Sequence, residues 1–269
     1  VSFLDALNGG RGSAVLDFLR ERNTSFITES KSGRTLLLLD GTYSMESLID
    51  GAKMAIGEMF NRAYTILREN NVDGAFEMQL CVYRNYNAES HDIFEHSGWE
   101  NKPDNLRAFC GRIEAKHGWA RECIELGLLH AMEEHEKDPV SQIIVLGDRG
   151  ANTPSDLTEK RAPRGAADWS KTKYAERILF QDQLQRVVEA EIPIHSFYLK
   201  NTAREETFEA MSAATPGGIC KALDVKSSSA VEQLTSAITQ LLLKDLGGDN
   251  LVPAYKEKFG GGKGYIDIS

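Results

Sequence analysis

Two short stretches gather oxygen-bearing side chains where apolar runs stop. In Leu39-Asp40-Gly41-Thr42-Tyr43-Ser44-Met45, a carboxylate and two hydroxyls fall at i, i+2 and i+4. In Leu146-Gly147-Asp148-Arg149-Gly150, a second carboxylate follows a second apolar run. A small, oxygen-only donor set suits a hard cation. Mg2+ fits best, taking six oxygens at about 2.0–2.1 Å and keeping several of them as water, with Mn2+ and Ca2+ as alternatives. On this reading Asp40, Thr42 and Ser44 supply three oxygens and Asp148 adds a negative charge through a bound water. Open positions would remain for a carboxylate from a protein partner. The same spacing also has a purely structural reading, in which Asp40 and Ser44 cap the helix that begins near Met45. Spacing alone leaves both open.

Alternating elements must position these residues. Val15, Leu16, Phe18 and Leu19 form one helical stripe behind Ser13, a short leading helix. Thr35 to Leu39 is too short for a helix and apolar on both faces, as a central strand is, and it stops at Asp40. From Met45 to Leu67 the apolar positions keep a 3.6-residue period, the clearest helix in the chain. After turn chemistry at Asn70 to Gly74, Phe76, Met78, Leu80 and Val82 alternate as a strand, with His91 to His96 as its antiparallel partner.

Further helices are predicted from Pro103, from about Ala120 to Glu136, from Tyr174 to Ala190, around Phe208 and Met211, and from Val231 to Leu242. Ile143 to Leu146 and Ile192 to Leu199 read as strands. Arg149 to Lys173 has no sustained apolar period and reads as a long surface excursion, and the Gly-rich residues 246–269 as a flexible tail. Strands alternating with helices imply an α/β fold whose mostly parallel sheet is covered on both faces.

Asp-x-Thr-x-Ser-Met, placed after an apolar strand and before an amphipathic helix, resembles the metal-ion-dependent adhesion site motif (Asp-x-Ser-x-Ser) of von Willebrand factor A domains, with Thr42 in place of the first serine. Other stretches resemble the same family in the same order. Phe76 to Tyr86, with Val82-Tyr83-Arg84-Asn85-Tyr86 at a strand end, is similar to the Gly-x-Val-x-Tyr-Arg-Asp stretch of the intracellular subgroup found beside alpha-kinases, with Asn85 replacing the Asp. Ile143 to Asp148 resembles the strand whose aspartate faces the metal. Ile192 to Leu199 and Phe208 to Gly218 are similar to the late strand and the segment after it.

The resemblance covers roughly residues 33–245, between an N-terminal extension (1–32) and the tail (246–269). It implies a Rossmann-like, doubly wound sheet with one antiparallel edge strand. It also implies a cation held by Asp40, Thr42, Ser44 and Asp148, and a protein partner bound there through an acidic side chain. One position departs from the family. Lys116-His117-Gly118-Trp119-Ala120-Arg121-Glu122 places Trp119 about where a further oxygen ligand belongs, and an indole nitrogen only donates. The site is then weakened, rebuilt with Glu122, or replaced by a metal-free scaffold. Tyr43, Trp119, Arg149 and the excursion that follows would rim the contact.

Composition narrows the function classes. The 269 residues are 41% hydrophobic and carry 31 Lys+Arg against 40 Asp+Glu, a formal charge of −9. That field repels nucleic acid and anionic membrane surfaces, and no apolar run is long enough to span a bilayer. Cys81, Cys110, Cys123 and Cys220 form no C-x-x-C pair and sit among apolar neighbours, which suits buried thiols in a reducing, cytoplasmic setting. His130 and His135 are five apart, miss the i, i+4 zinc spacing, and read as exposed helix residues.

The rival class is an enzyme. Leu38-Leu39-Asp40-Gly41-Thr42 and Gly147-Asp148-Arg149-Gly150-Ala151-Asn152 are also similar to the first and last motifs of haloacid-dehalogenase-like phosphohydrolases. Leu38 stands where that family's nucleophilic aspartate belongs, so the reaction lacks its first step. A non-enzymatic interaction module of a larger protein is the expectation.

Overall fold

The structure, a computed structural model, describes residues 33–72, 75–199, 205–224 and 229–268. The leading helix and the rest of the N-terminal extension lie outside the described residues. In chain order the elements are β1 (Gly33–Asp40), α1 (Glu46–Glu69), β2 (Phe76–Tyr83), β3 (Phe94–His96), α2 (Pro103–Arg112), α3 (Ile124–Lys137) and β4 (Gln142–Gly147). They continue with α4 (Pro154–Arg161), α5 (Ala166–Trp169), α6 (Phe180–Glu189), β5 (Ile194–Leu199), α7 (Glu205–Ala214), β6 (Cys220–Leu223), α8 (Ala230–Gly247) and α9 (Leu251–Phe259).

The strands form one sheet in the order β3-β2-β1-β4-β5-β6, parallel except for the edge strand β3. Every residue of β1 is buried, so its run of four leucines has helices on both sides. Leu37 and Leu39 join Ile144, Leu146 and the apolar stripes of α1, α2, α8 and α9 in one core. Leu36 and Leu38 point the other way, into a second core with Ile143, Val145, Leu128 of α3 and Met211 of α7. The period-2 alternation of a strand thus feeds two layers at once. Strand order reverses between β1 and β4, which opens a crevice beyond their carboxyl ends. No helix among the described residues is long and apolar enough to cross a membrane.

Several expectations from sequence are corrected here. Helix α3 starts at Ile124 rather than near Ala120, because the Glu122 and Cys123 amides bond the Gly150 and Arg84 carbonyls instead of entering a helical ladder. Helix α6 starts at Phe180, not Tyr174. The carbonyls of Tyr174 and Ala175 accept from the Arg161 guanidinium at 2.8 and 2.9 Å instead of entering a helical ladder.

The stretch from Arg149 to Lys173 is not a surface excursion. It folds as α4, opened by a Thr153–Asp156 capping box, and α5, and it buries Leu157 and Trp169. Its burial rests on a cation–aromatic stack, Arg161 and Arg164 at 4.6 and 4.5 Å from the Trp169 ring, which leaves no apolar period to read.

The composition of 246–269 suggested flexibility, yet α9 buries Leu251 and Tyr255, and Ile268 is buried beyond it. His130 is buried rather than exposed. It bonds Gln79 Oε1 at 2.8 Å and lies 4.4 Å from the His96 ring, and burial lowers its pKa to about 4. Cys81, Cys110 and Cys123 are buried thiols, and Cys220 is half-buried.

Candidate functional site

Asp40 ends β1 and Asp148 follows β4 by one residue, and Leu39 pairs with Leu146 across the two strands. The register therefore brings both aspartates to the mouth of the crevice, where each is at least 97% buried. The turn after Asp40 is tight: a Cβ on Gly41 would lie 2.4 Å from Val82 and 3.1 Å from the Arg84 guanidinium. Arg84 reaches Gly41 O (3.1 Å), Asp92 O (2.8 Å), Glu95 (2.6 Å) and Glu114 O (3.0 Å), tying the turn to three other segments.

Within the turn, Asp40 Oδ1 accepts from the Thr42 amide at 2.9 Å and from its hydroxyl at 2.7 Å, and Thr42 Oγ1 lies 3.3 Å from Ser44 Oγ. The capping alternative does not describe these groups. Met45 is the N-cap of α1 and no side chain caps it, while Asp40 bonds an amide before the helix.

Asp40 Oδ2 and Asp148 Oδ1 are buried without a hydrogen-bond partner. Asp148 Oδ2 faces Arg149 Nε at 3.9 Å. Burial, and then the charge of Asp148, raise the Asp40 pKa to about 7, a rise that the two Thr42 bonds and the Asp148 backbone amide only partly offset. A buried polar atom left unpaired costs about 1–3 kcal/mol, more when charged, and an external cation removes that cost. Oxygens bound side by side on an octahedral ion at about 2.1 Å lie roughly 3 Å apart, close to the observed Thr42–Ser44 spacing. The donor set of Asp40, Thr42, Ser44 and Asp148 therefore fits a hard cation. Among the described residues no group of three or more His, Cys, Asp or Glu side chains is arranged to hold a metal. Any such site must use the hydroxyls.

Glu122 is also drawn to this edge, but it is occupied. Its Oε1 accepts from the Trp119 amide at 3.0 Å and its Oε2 from Asn85 Nδ2 at 2.7 Å. Burial, then the charge of Asp40, raise its pKa to about 9. Trp119 contributes its backbone amide rather than its ring. The indole is 39% exposed and lies 5.4 Å from the Lys160 ammonium. Tyr43 is 69% exposed and Arg149 partly exposed, both on the rim.

Sequence reading missed the buried supports around Glu122. Lys160 Nζ donates to Arg121 O (2.6 Å) and Asn152 Oδ1 (2.8 Å), and Asn152 donates to Glu125 (2.9 Å). Burial raises the Glu125 pKa to about 7. Asn85 was the one signal available, since an Asp in its place would repel Glu122.

No protein-family model matches the chain, and no curated protein matches it in sequence. Solved structures do match in shape. A von Willebrand factor type A protein from Catenulispora acidiphila superposes with a TM-score of 0.53 at 11% identity, over 81% of this chain and 43% of that one. The pilus adhesin SpaC from Lactobacillus rhamnosus GG, in its open conformation, gives 0.52 at 11% identity, over 80% of this chain and 30% of the adhesin. The chain has a von Willebrand factor A-like fold. It spans less than half the length of these structural neighbours. At 11% identity this likeness shows the fold alone.

Proposed function

We propose that this chain is a protein-interaction module that holds Mg2+ at the carboxyl edge of its sheet and binds a partner through an acidic side chain. Asp40, Thr42 and Ser44 would contact the ion directly and Asp148 through water, with Tyr43, Trp119 and Arg149 around the contact. The observation that carries this reading is the pair of neighbouring buried carboxylates, each with an unpartnered oxygen at the strand-order reversal. A bound cation supplies positive charge and open coordination positions; the chain's residues fix where these point. The adhesin and A-type neighbours favour recognition over turnover. The motif order also favours placing the module in a larger intracellular protein of the alpha-kinase-associated kind.

The phosphohydrolase reading loses support, since Leu38 is buried and packs on Gly127 of α3, leaving no nucleophile beside Asp40. A metal-free scaffold draws support from Glu122, both of whose oxygens are engaged. Isothermal titration of Mg2+ into the chain and into Asp40→Ala separates the two. Binding by the parent alone supports the metal-dependent reading, and binding by neither leaves the metal-free scaffold.

A further inference from the structure

The helical segment after β4 holds a feature that the crevice does not use. A cleft of about 380 Å3 lies among α4, α5 and the chain before α6, walled by Thr158, Arg161, Gly165, Trp169, Ala175 and Arg177. Two guanidiniums line it and no carboxylate does. This happens in a chain whose acids outnumber its bases by 40 to 31.

Three arginines are buried among the described residues, Arg34, Arg84 and Arg161. Arg34 faces Glu77 and Asp138 at 3.5 and 3.3 Å, and Arg84 faces Glu95 at 2.6 Å. Arg161 pairs with no carboxylate among those residues. Its guanidinium donates instead to the carbonyls of Tyr174 (2.8 Å), Ala175 (2.9 Å) and Glu176 (3.3 Å), and lies 4.6 Å from the Trp169 ring. Carbonyl dipoles and a ring face hold a cation in place without cancelling its charge. A buried charge without a counter-ion is costly, and an anion entering the cleft reduces that cost.

Arg177 supplies the second positive charge. It is exposed, donates to Thr158 Oγ1 at 3.1 Å, and likewise pairs with no carboxylate among the described residues. Thr158 stands one turn before Arg161 on α4, so this bond fastens Arg177 to the wall that carries Arg161. We propose that the cleft binds a phosphoryl group between Arg161 and Arg177. Two guanidinium forks match the several oxygens and double charge of one phosphate, whereas a carboxylate offers two oxygens and a single charge. Free phosphate and a phosphorylated side chain share this chemistry. Neither needs a cation in the crevice.

Isothermal titration of the full chain at pH 7.5, in chelator and at fixed ionic strength, provides the test. The probes are inorganic phosphate, acetate, and a blocked Gly-Ser-phosphoserine-Ser-Gly peptide beside its unphosphorylated form. Chelator prevents a cation in the crevice from holding the phosphate. Inorganic phosphate should saturate one site with a Kd below about 10 mM, and acetate should bind at least about tenfold more weakly. Arg177→Ala should weaken phosphate about tenfold, the loss of one charge-assisted contact. That variant leaves the buried stack of Arg161 on Trp169 in place, so its result stands even where Arg161→Lys, which keeps the charge but loses the fork, fails to fold. A phosphopeptide at least about tenfold tighter than inorganic phosphate, with no binding by the unphosphorylated peptide, supports the proposal with a protein as the source. Equal affinity for the two phosphate probes supports it with free phosphate as the source. No saturation by either phosphate probe up to about 10 mM, acetate binding as tightly as phosphate, or unchanged phosphate affinity in Arg177→Ala would overturn the proposal.

Discussion

On the face built by α1, α8 and α9, the guanidinium of Arg62 meets both oxygens of Glu232 at 2.6 and 2.8 Å, Glu58 at 2.7 Å and the Tyr255 hydroxyl at 3.1 Å. At the carboxyl edge of the sheet, Asp40 and Asp148 each keep a buried oxygen with no partner, and Glu122 adds a third carboxylate whose pKa is pushed up. The first arrangement is complete within the chain and holds helices together. The second is incomplete and needs protons or an external cation to be stable. The contrast separates polar groups that are paired within the fold from carboxylates that the fold leaves partly unpaired.

The largest effect should come from the complete side. Tyr255 is fully buried against Arg62 and Phe259, so Tyr255→Ala should lower unfolding stability by about 3–5 kcal/mol in urea titrations. A loss under about 1 kcal/mol would mean that α9 is not part of the core.

pH should act on the crevice next. Asp40, Glu122 and Glu125 have folded pKa values near 7, 9 and 7, above their ordinary 3.8, 4.5 and 4.5, so the folded state binds the extra protons. Stability in chelator should therefore fall as pH rises from 6.5 to 9, on the order of 2–4 kcal/mol. His130 and His195, both lowered to about 4 by burial, act with the opposite sign and mainly below their ordinary 6.5, so they touch only the low end of that window. A flat profile from pH 6.5 to 9 in chelator would show that burial does not hold these carboxyls protonated.

A smaller gain should follow Asp40→Asn, which removes one buried charge. At pH 8 in chelator it should stabilise the chain by roughly 1–2 kcal/mol in the same urea assay, and a loss instead would mark Asp40 as a structural residue. The smallest change belongs to exposed Tyr43. Tyr43→Ala should move stability by less than about 0.5 kcal/mol while weakening peptide binding at the crevice, and equal peptide affinity would remove Tyr43 from the contact.

Sequence reading reached the sheet because β1, β2, β4 and β5 carry their burial in contiguous residues and α1 and α8 in a regular period. That Asp40 and Asp148 come to one edge of the sheet was legible for the same reason, since they stand where those runs stop. The supports were not. Glu122 is held by Asn85, 37 positions away, and Lys160 by carbonyl and amide oxygens 39 and 8 positions away, pairings that no local pattern encodes. Trp169 sits in an apolar-poor stretch and is buried by arginines, and Tyr255 sits in a Gly-rich segment whose helix packs on distant residues. The edge strand β6 is short and only partly buried, so it left no alternation to detect.

The central claim is that the incomplete edge is completed by a divalent cation. Thermal and urea unfolding of the parent chain and of Asp40→Asn, at pH 7.5 with chelator and with Mg2+, tests it most directly. With Mg2+ at about a hundredfold over its Kd, the parent should gain about 2.7 kcal/mol and Asp40→Asn nothing. An equal shift in both proteins, or none in the parent, would contradict it.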